Sequence, residues 1–184
     1  TVIVLPNERL LEVEGVRDLP LDAAFRVADE LLIRSIAGVS EMISKEGVVN
    51  LDFQDLRSVM ENGGGVAMIG LGEARGENCA EKATDEALES PLLDIDISDA
   101  RGALVNVVGG PTLSLGDAEK CAQLIRDRIN PYARIIWGAT TDDSMGDEIR
   151  VLLVLTGVKS EQIHGAALHT QMRNLRTRTV EFVN

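Results

Sequence analysis

Asn50, Asp52 and Asp55 place an amide and two carboxylates within the stretch Gly47-Val48-Val49-Asn50-Leu51-Asp52-Phe53-Gln54-Asp55, between two helical patterns. At a helix start, Asp52 can accept hydrogen bonds from the unpaired N–H groups of the first turn. Asp55, three residues on, can serve as the acidic partner of a capping box. A second pair lies upstream: Phe25 and Asp29 are four residues apart on a helical pattern and so share one face. A ring beside a carboxylate could stack on a purine and accept hydrogen bonds from guanine N–H groups. As plain structure, the same pair is a core Phe beside a solvated Asp.

The element carrying Phe25 and Asp29 leads directly to the acidic stretch. Pro20 suits a first helical position, and Leu21, Ala24, Phe25, Ala28, Leu31, Leu32, Ile36, Val39, Met42 and Ile43 then recur every three or four residues. A cation and a glycine in Lys45-Glu46-Gly47 predict the end of this helix. About 25 residues give a rod of roughly 37 Å. Arg26, Asp29, Glu30 and Arg34 interrupt it, so it is no membrane span. Its broad apolar stripe suits a helix lying between two packed layers. Asp29 and Asp55 therefore sit near opposite ends, with roughly 24 Å of helix between Asp29 and Lys45. If both ends act on nucleotide, they serve two different nucleotides.

The rest of the chain reads as one domain, or one domain with additions, of 184 residues. Thr1 to Leu5 is an apolar strand read as buried, with no initiator Met, and it suggests the C-terminal part of something larger. A connector runs to Leu19. After a helix from Phe53 to Met60, strands are expected at Val66–Gly70, Arg101–Val108, Ala133–Ala139 and Glu148–Val158. Helices are expected at Asn78–Glu89, with Ala80, Ala83, Ala87 and Leu88 inward, and at Leu115–Ile129, capped by Ser114. Helical crossovers make the first three of these strands parallel, and a short turn makes the last antiparallel. The expected fold is α/β, of α+β type. It has a small mixed four-stranded sheet with helices on one face, preceded by a long central helix along its boundary and by the first strand. The segments are then 1–19, 20–46, 47–158 and an extension, 159–184.

Composition narrows the function. A formal charge of −12 argues against a general nucleic-acid binder, which needs a basic face. Aromatics are few, namely Phe25, Phe53, Phe182, Tyr132 and Trp137, so the core is aliphatic. Cys79 and Cys121 lack metal-ligand spacing and read as reduced, buried thiols of a cytosolic protein. No apolar run is long enough to span a membrane, and no signal peptide is visible.

With a long helix before it, the pattern Asn50-x-Asp52-x-x-Asp55 resembles a loop of the FtsZ and tubulin family. Thr1-Val2-Ile3-Val4-Leu5-Pro6-Asn7, Ser90-Pro91-Leu92-Leu93, Arg101-Gly102-Ala103-Leu104-Val105-Asn106 and Thr156-Gly157-Val158 are similarly familiar. The likeness covers nearly everything from Thr1 to Val158. It implies a head-to-tail filament at the division septum in the cytoplasm, in which the loop enters the nucleotide site of the next subunit and triggers GTP hydrolysis. Asp52 and Asp55 would orient and polarise the attacking water, and Asn50 would contact the phosphates or their cation. Phe25 and Asp29 would hold guanine, the Asp form being similar to the archaeal branch. GTP or GDP is implied, and Mg²⁺ comes from phosphate chemistry rather than from any ligand set in the chain. Other subunits of the same kind would be the partners, with division-ring regulators reached through the locally basic residues 159–184.

One departure is large: the family's Gly-rich phosphate-binding signature is absent. Gly63-Gly64-Gly65 follows a helix and precedes a strand, whereas a phosphate cradle leads from a strand into a helix. The chain by itself is thus expected to be inactive. Asp94, Asp96 and Asp99 lack the Gly and Glu of a calcium loop and read as a solvated loop. Asp142, Asp143 and Asp147 suit a hairpin turn. His164 and His169 carry no favoured role. The rival reading is a free-standing α/β module, small-molecule-binding or regulatory, which calls for a pocket on the sheet.

Overall fold

The computed structural model of the chain describes residues 2–3, 16, 18–45, 47–62, 66–90, 93 and 97–158. Gly63-Gly64-Gly65, Asp94, Asp96, His164, His169 and the extension 159–184 lie outside the described residues, as does most of the connector before Leu19.

The elements, in order, are β1 (Val2–Ile3), α1 (Leu21–Ser44), α2 (Phe53–Asn62), β2 (Val66–Arg75), α3 (Cys79–Leu88), β3 (Gly102–Gly109), α4 (Leu115–Arg128), β4 (Arg134–Thr141) and β5 (Glu148–Thr156). The α/β class and mixed sheet are as expected, but the sheet has five strands, in the order β1-β2-β5-β3-β4. The additional strand is β1, which pairs parallel with the start of β2. It is not the buried strand its apolar sequence suggests: Val2 is 63% exposed, on the edge of the sheet.

The last strand is antiparallel, as its short connection predicts, but it does not form a hairpin with β4. It passes β3 and enters between β2 and β3, antiparallel to both. The physical reason is in its side chains. Val151, Leu152, Leu153, Val154 and Leu155 are all buried. Successive residues of a strand point to opposite faces, so an uninterrupted apolar run of this kind is stable only where both faces are covered and both edges paired. The Asp142–Asp147 segment accordingly forms a short 3-10 turn at Asp143–Met145 instead of a hairpin.

Helices therefore cover both faces, not one. On the first, Met68, Val105, Val107, Val151, Leu153 and Leu155 meet Ala80, Ala83 and Ala87 of α3 and Ala118, Cys121 and Ile125 of α4. On the second, Ala67, Ile69, Leu104, Leu152 and Val154 meet Met42 and Val39 of α1 and Leu56 and Met60 of α2. The long helix lies over the sheet rather than along its boundary. The inward residues expected on α3 are all buried, with Thr84 beside them, and α4 begins with a complete Ser114–Asp117 capping box. Burial pushes the Cys121 thiol above its ordinary pKa, and it donates to the Ala80 carbonyl at 3.6 Å. Cys79 is half-buried, and both cysteines are free.

The small residues of α3 let it approach β2 closely. A Cβ on Gly70 would overlap the Ala87 carbonyl, and one on Gly72 would overlap the Ala83 carbonyl and the Ala87 N–H. These are backbone atoms and cannot rotate aside. Gly72→Ala should therefore lower stability by about 1–3 kcal/mol, the range for overpacking, read as a lower urea midpoint at unchanged slope. An unchanged midpoint would contradict this close approach.

Candidate functional site

The acidic stretch forms a short connection from α1 to α2, and the backbone fixes it before any side chain does. At the end of α1 the Lys45 N–H closes onto the Glu41 carbonyl at 2.9 Å. Val49 then makes a two-bond bridge to β4: its N–H donates to the Ala139 carbonyl and its carbonyl accepts from the Ala139 N–H, both at 3.1 Å. Gly47 is needed here for approach, since a Cβ would overlap the Ala139 carbonyl. Its role differs from the helix-ending glycine expected from sequence. The Asn50 side-chain oxygen accepts the Gly47 N–H at 2.6 Å and rounds off the turn.

Asp52 is the cap of α2. Its Oδ1 accepts the Asp55 N–H at 2.8 Å and its carbonyl accepts the Leu56 N–H at 3.2 Å. Asp55 does not complete the expected capping box. Its carboxylate faces the Arg134 guanidinium at 3.9 Å, with the two side chains 42% and 54% exposed. The two carboxylates thus differ in kind: Asp52 caps the helix, and Asp55 stands half-exposed in its first turn, where the macrodipole favours negative charge. Asn50 is exposed, and with its oxygen engaged its NH₂ group remains as a donor.

Phe25 and Asp29 lie at the other end of α1, and both are exposed, Phe25 at 61%. The Phe is thus not the core residue of the plain reading. Leu21, Phe25, Leu32, Ile36 and Ile43 are all exposed, and at 100° per residue they fall within about 60° of each other around the axis. Ser35, Gly38 and Met42 form the side against the sheet, where a Cβ on Gly38 would meet the Leu152 side chain at 2.6 Å. Arg34 ties the helix down by pairing with Glu30 on its own helix and with Glu73 of β2, which also holds Arg150 of β5. The structure keeps the two candidate groups apart: α1 is unbroken for 24 residues, roughly 36 Å.

Two features of the loop end had no local signal in the sequence. Arg134 meets Asp55 only because α2 packs beside β4. Asp142, which the sequence suggested only as part of a hairpin turn, anchors the end of α1: Lys45 lies 3.1 Å from Glu41 and 3.5 Å from Asp142. Asp142 also accepts the Ser144 hydroxyl at 2.6 Å and the Ser144 N–H at 3.0 Å. These Ser144 bonds, followed by Lys45, hold the Asp142 pKa below the ordinary carboxylate value. The bond to Glu41, followed by attraction from Asp142, raises that of Lys45. Among the described residues no group of three or more His, Cys, Asp or Glu comes together as a metal site, and no helix is long and apolar enough to cross a membrane.

A long helix opening through an acidic loop onto a mixed sheet is a distinctive arrangement, and comparison with known proteins assigns it. Residues 65–159 match the FtsZ family, C-terminal domain, and the chain belongs to the FtsZ family. It is 53% identical over 165 residues to cell division protein FtsZ 1 of Archaeoglobus fulgidus, covering 90% of this chain and 44% of that relative. It is 54% identical over 165 residues to FtsZ 1 of Halobacterium salinarum, covering 90% and 41%. An empty FtsZ dimer of M. jannaschii superposes with a TM-score of 0.79 at 48% identity, covering 84% of this chain and 44% of that one. GDP-bound CetZ1 of Haloferax volcanii, at 16% identity and a TM-score of 0.69, shares the fold. The chain spans less than half the length of the curated relatives it matches.

The Asp142 anchor can be tested by pH. A depressed native pKa contributes stability above the unfolded carboxylate value, about 3.9, and that stability is lost as pH falls through the lower native value. Asp142→Asn keeps the shape and removes the charge. The parent should exceed it in urea midpoint by a constant margin from about pH 5 to 8, and the margin should close below about pH 3.9. A margin that persists in acid would assign the effect to shape alone.

Proposed function

We propose that this chain is the loop-bearing part of a polymerising GTPase of cell division and completes hydrolysis of the GTP held by the adjacent subunit. The observation that carries this reading is the Asp55 carboxylate. It stands half-exposed in the first turn of α2, after a loop bridged to β4, and is not consumed in capping. In the reaction, the oxygen of water attacks the γ-phosphorus, the bond to the β–γ bridging oxygen breaks, and GDP and inorganic phosphate leave. Asp52 and Asp55 orient and polarise the water, and the proton it loses passes to phosphate oxygen. The Asn50 NH₂ group donates to phosphate oxygen. Mg²⁺, bound with the nucleotide, supplies charge neutralisation at the phosphates.

Phe25 and Asp29 hold the guanine of the subunit's own GTP, and the exposed apolar stripe of α1 is the seat of the GTP-binding domain. The separation of the two ends supports this division of labour, because one nucleotide cannot span the helix. Each subunit reads one GTP and acts on the next, so the contact is heterologous and builds a filament. Partners are other copies of the full-length protein, with division-ring regulators reached through 159–184, in the cytoplasm at the septum. Family membership favours this reading over a free-standing module.

Asp55→Asn tests it in the full-length protein. The change keeps shape and removes charge, and GTP turnover should fall about 10²–10³-fold. GTP binding and filament formation should survive. Blended with subunits whose phosphate cradle is broken, Asp55→Asn subunits should regain turnover at mixed contacts. A variant that hydrolyses GTP at the parental rate while assembling normally would reduce the loop to a helix start.

A further inference from the structure

The geometry points to Arg134 as the positioning residue for Asp55. The inference rests on the proposed role of the loop and deepens it. Of the three loop residues, two have side-chain oxygens committed to the loop itself: Asn50 to the Gly47 N–H and Asp52 to the Asp55 N–H. Asp55 is the third, and among the described residues Arg134 is the one cation at ion-pair distance from it.

The backbones under this pair are fixed. Arg134 is the first residue of β4, stands opposite Gly102 of β3, and donates its N–H to the Arg101 carbonyl at 3.0 Å. On the other side, the buried Thr156 hydroxyl of β5 donates to the Val59 carbonyl of α2 at 3.1 Å, tying the helix to the sheet. Sheet and helix thus set the distance between the two Cα atoms, while both side chains stay in solvent. An exposed pair at 3.9 Å contributes little to stability. Its effect is directional: it draws one free carboxylate to the β4 side of the loop, where the orientation of a reacting water is decided. The pairing reaches between residues far apart in sequence, so no motif reveals it.

The test is a double-mutant cycle in the full-length protein, using Arg134→Gln, Arg134→Lys, Asp55→Asn and the combined Arg134→Gln/Asp55→Asn. Turnover number, KM, GTP affinity and sedimented polymer are measured for each. Arg134→Gln should lower the turnover number about two- to fivefold, the range an exposed pair can bias an orientation, with GTP affinity and polymer yield unchanged. Arg134→Lys should restore most of the loss, which a merely structural role would not require. In the Asp55→Asn background, Arg134→Gln should add nothing, because the group it positions is gone. Parental turnover in Arg134→Gln beside a crippled Asp55→Asn overturns this inference alone. An undiminished Arg134→Gln effect in the Asp55→Asn background also overturns it, by showing that the arginine acts on phosphate directly. Loss of polymer in Arg134→Gln with restored polymer and unchanged turnover per polymerised subunit in Arg134→Lys would place Arg134 in the subunit contact instead. Parental turnover in Asp55→Asn would sink the loop reading itself.

Discussion

The structure depends on the two-sided burial of β5. Its residues from Val151 to Leu155 offer apolar side chains to both faces of the sheet, and only a central position with helices on both sides removes all of them from water. That requirement draws β5 between β2 and β3. It also places α3 and α4 on one face and commits α1 and α2 to the other. The acidic loop is the link between those last two helices. Its location is thus a consequence of how a strand a hundred residues later is kept dry, and Leu152, on which Gly38 of the long helix sits, belongs to that strand.

On this frame the loop divides its polar groups. Asn50 and Asp52 hold its shape by satisfying backbone N–H groups, while the Val49–Ala139 bridge joins it to the sheet edge. A residue that shapes a loop and one that acts from it need opposite surroundings: the first needs committed hydrogen bonds, the second needs access. Asp55 lies outside the cap, with its side chain 42% exposed. The Lys45–Asp142 and Arg34–Glu73 pairs fasten the long helix near its end and middle. They leave its first turns, with Phe25 and Asp29, free of the sheet.

The sequence made the fold class, the strand directions, the long helix and the Ser114 cap legible, because each has a local pattern. The position of β5 was not legible as a turn, since the Asp-rich segment before it suits a hairpin. The better signal lay in the strand itself, whose lack of alternation marks a strand buried on both sides. The covering of both faces followed from the same point. In the candidate site, spacing pointed to Asp52 and Asp55 as a helix cap; Asp52 is the cap and Asp55 does not complete the box. Arg134 and Asp142 were out of reach because tertiary packing, not spacing, brings them to the loop. Gly47 read as a helix terminator because that is the common use of glycine there, while its close approach to Ala139 is a long-range fact.

The strand order also has a consequence in time. The central strand is the last to be made. Until the chain has been synthesised through Thr156, β2 and β3 have no partner between them and each presents an open edge. From Arg75 to Thr156 a ribosome takes roughly 4–16 s at about 5–20 residues per second. Until the end of that interval, each of these apolar strands, once made, leaves one edge open, a state prone to pairing with other chains. The domain must therefore cross, at every birth, a stage at which its strands can pair indiscriminately. The surplus of negative charge on the chain opposes that encounter before the fold can.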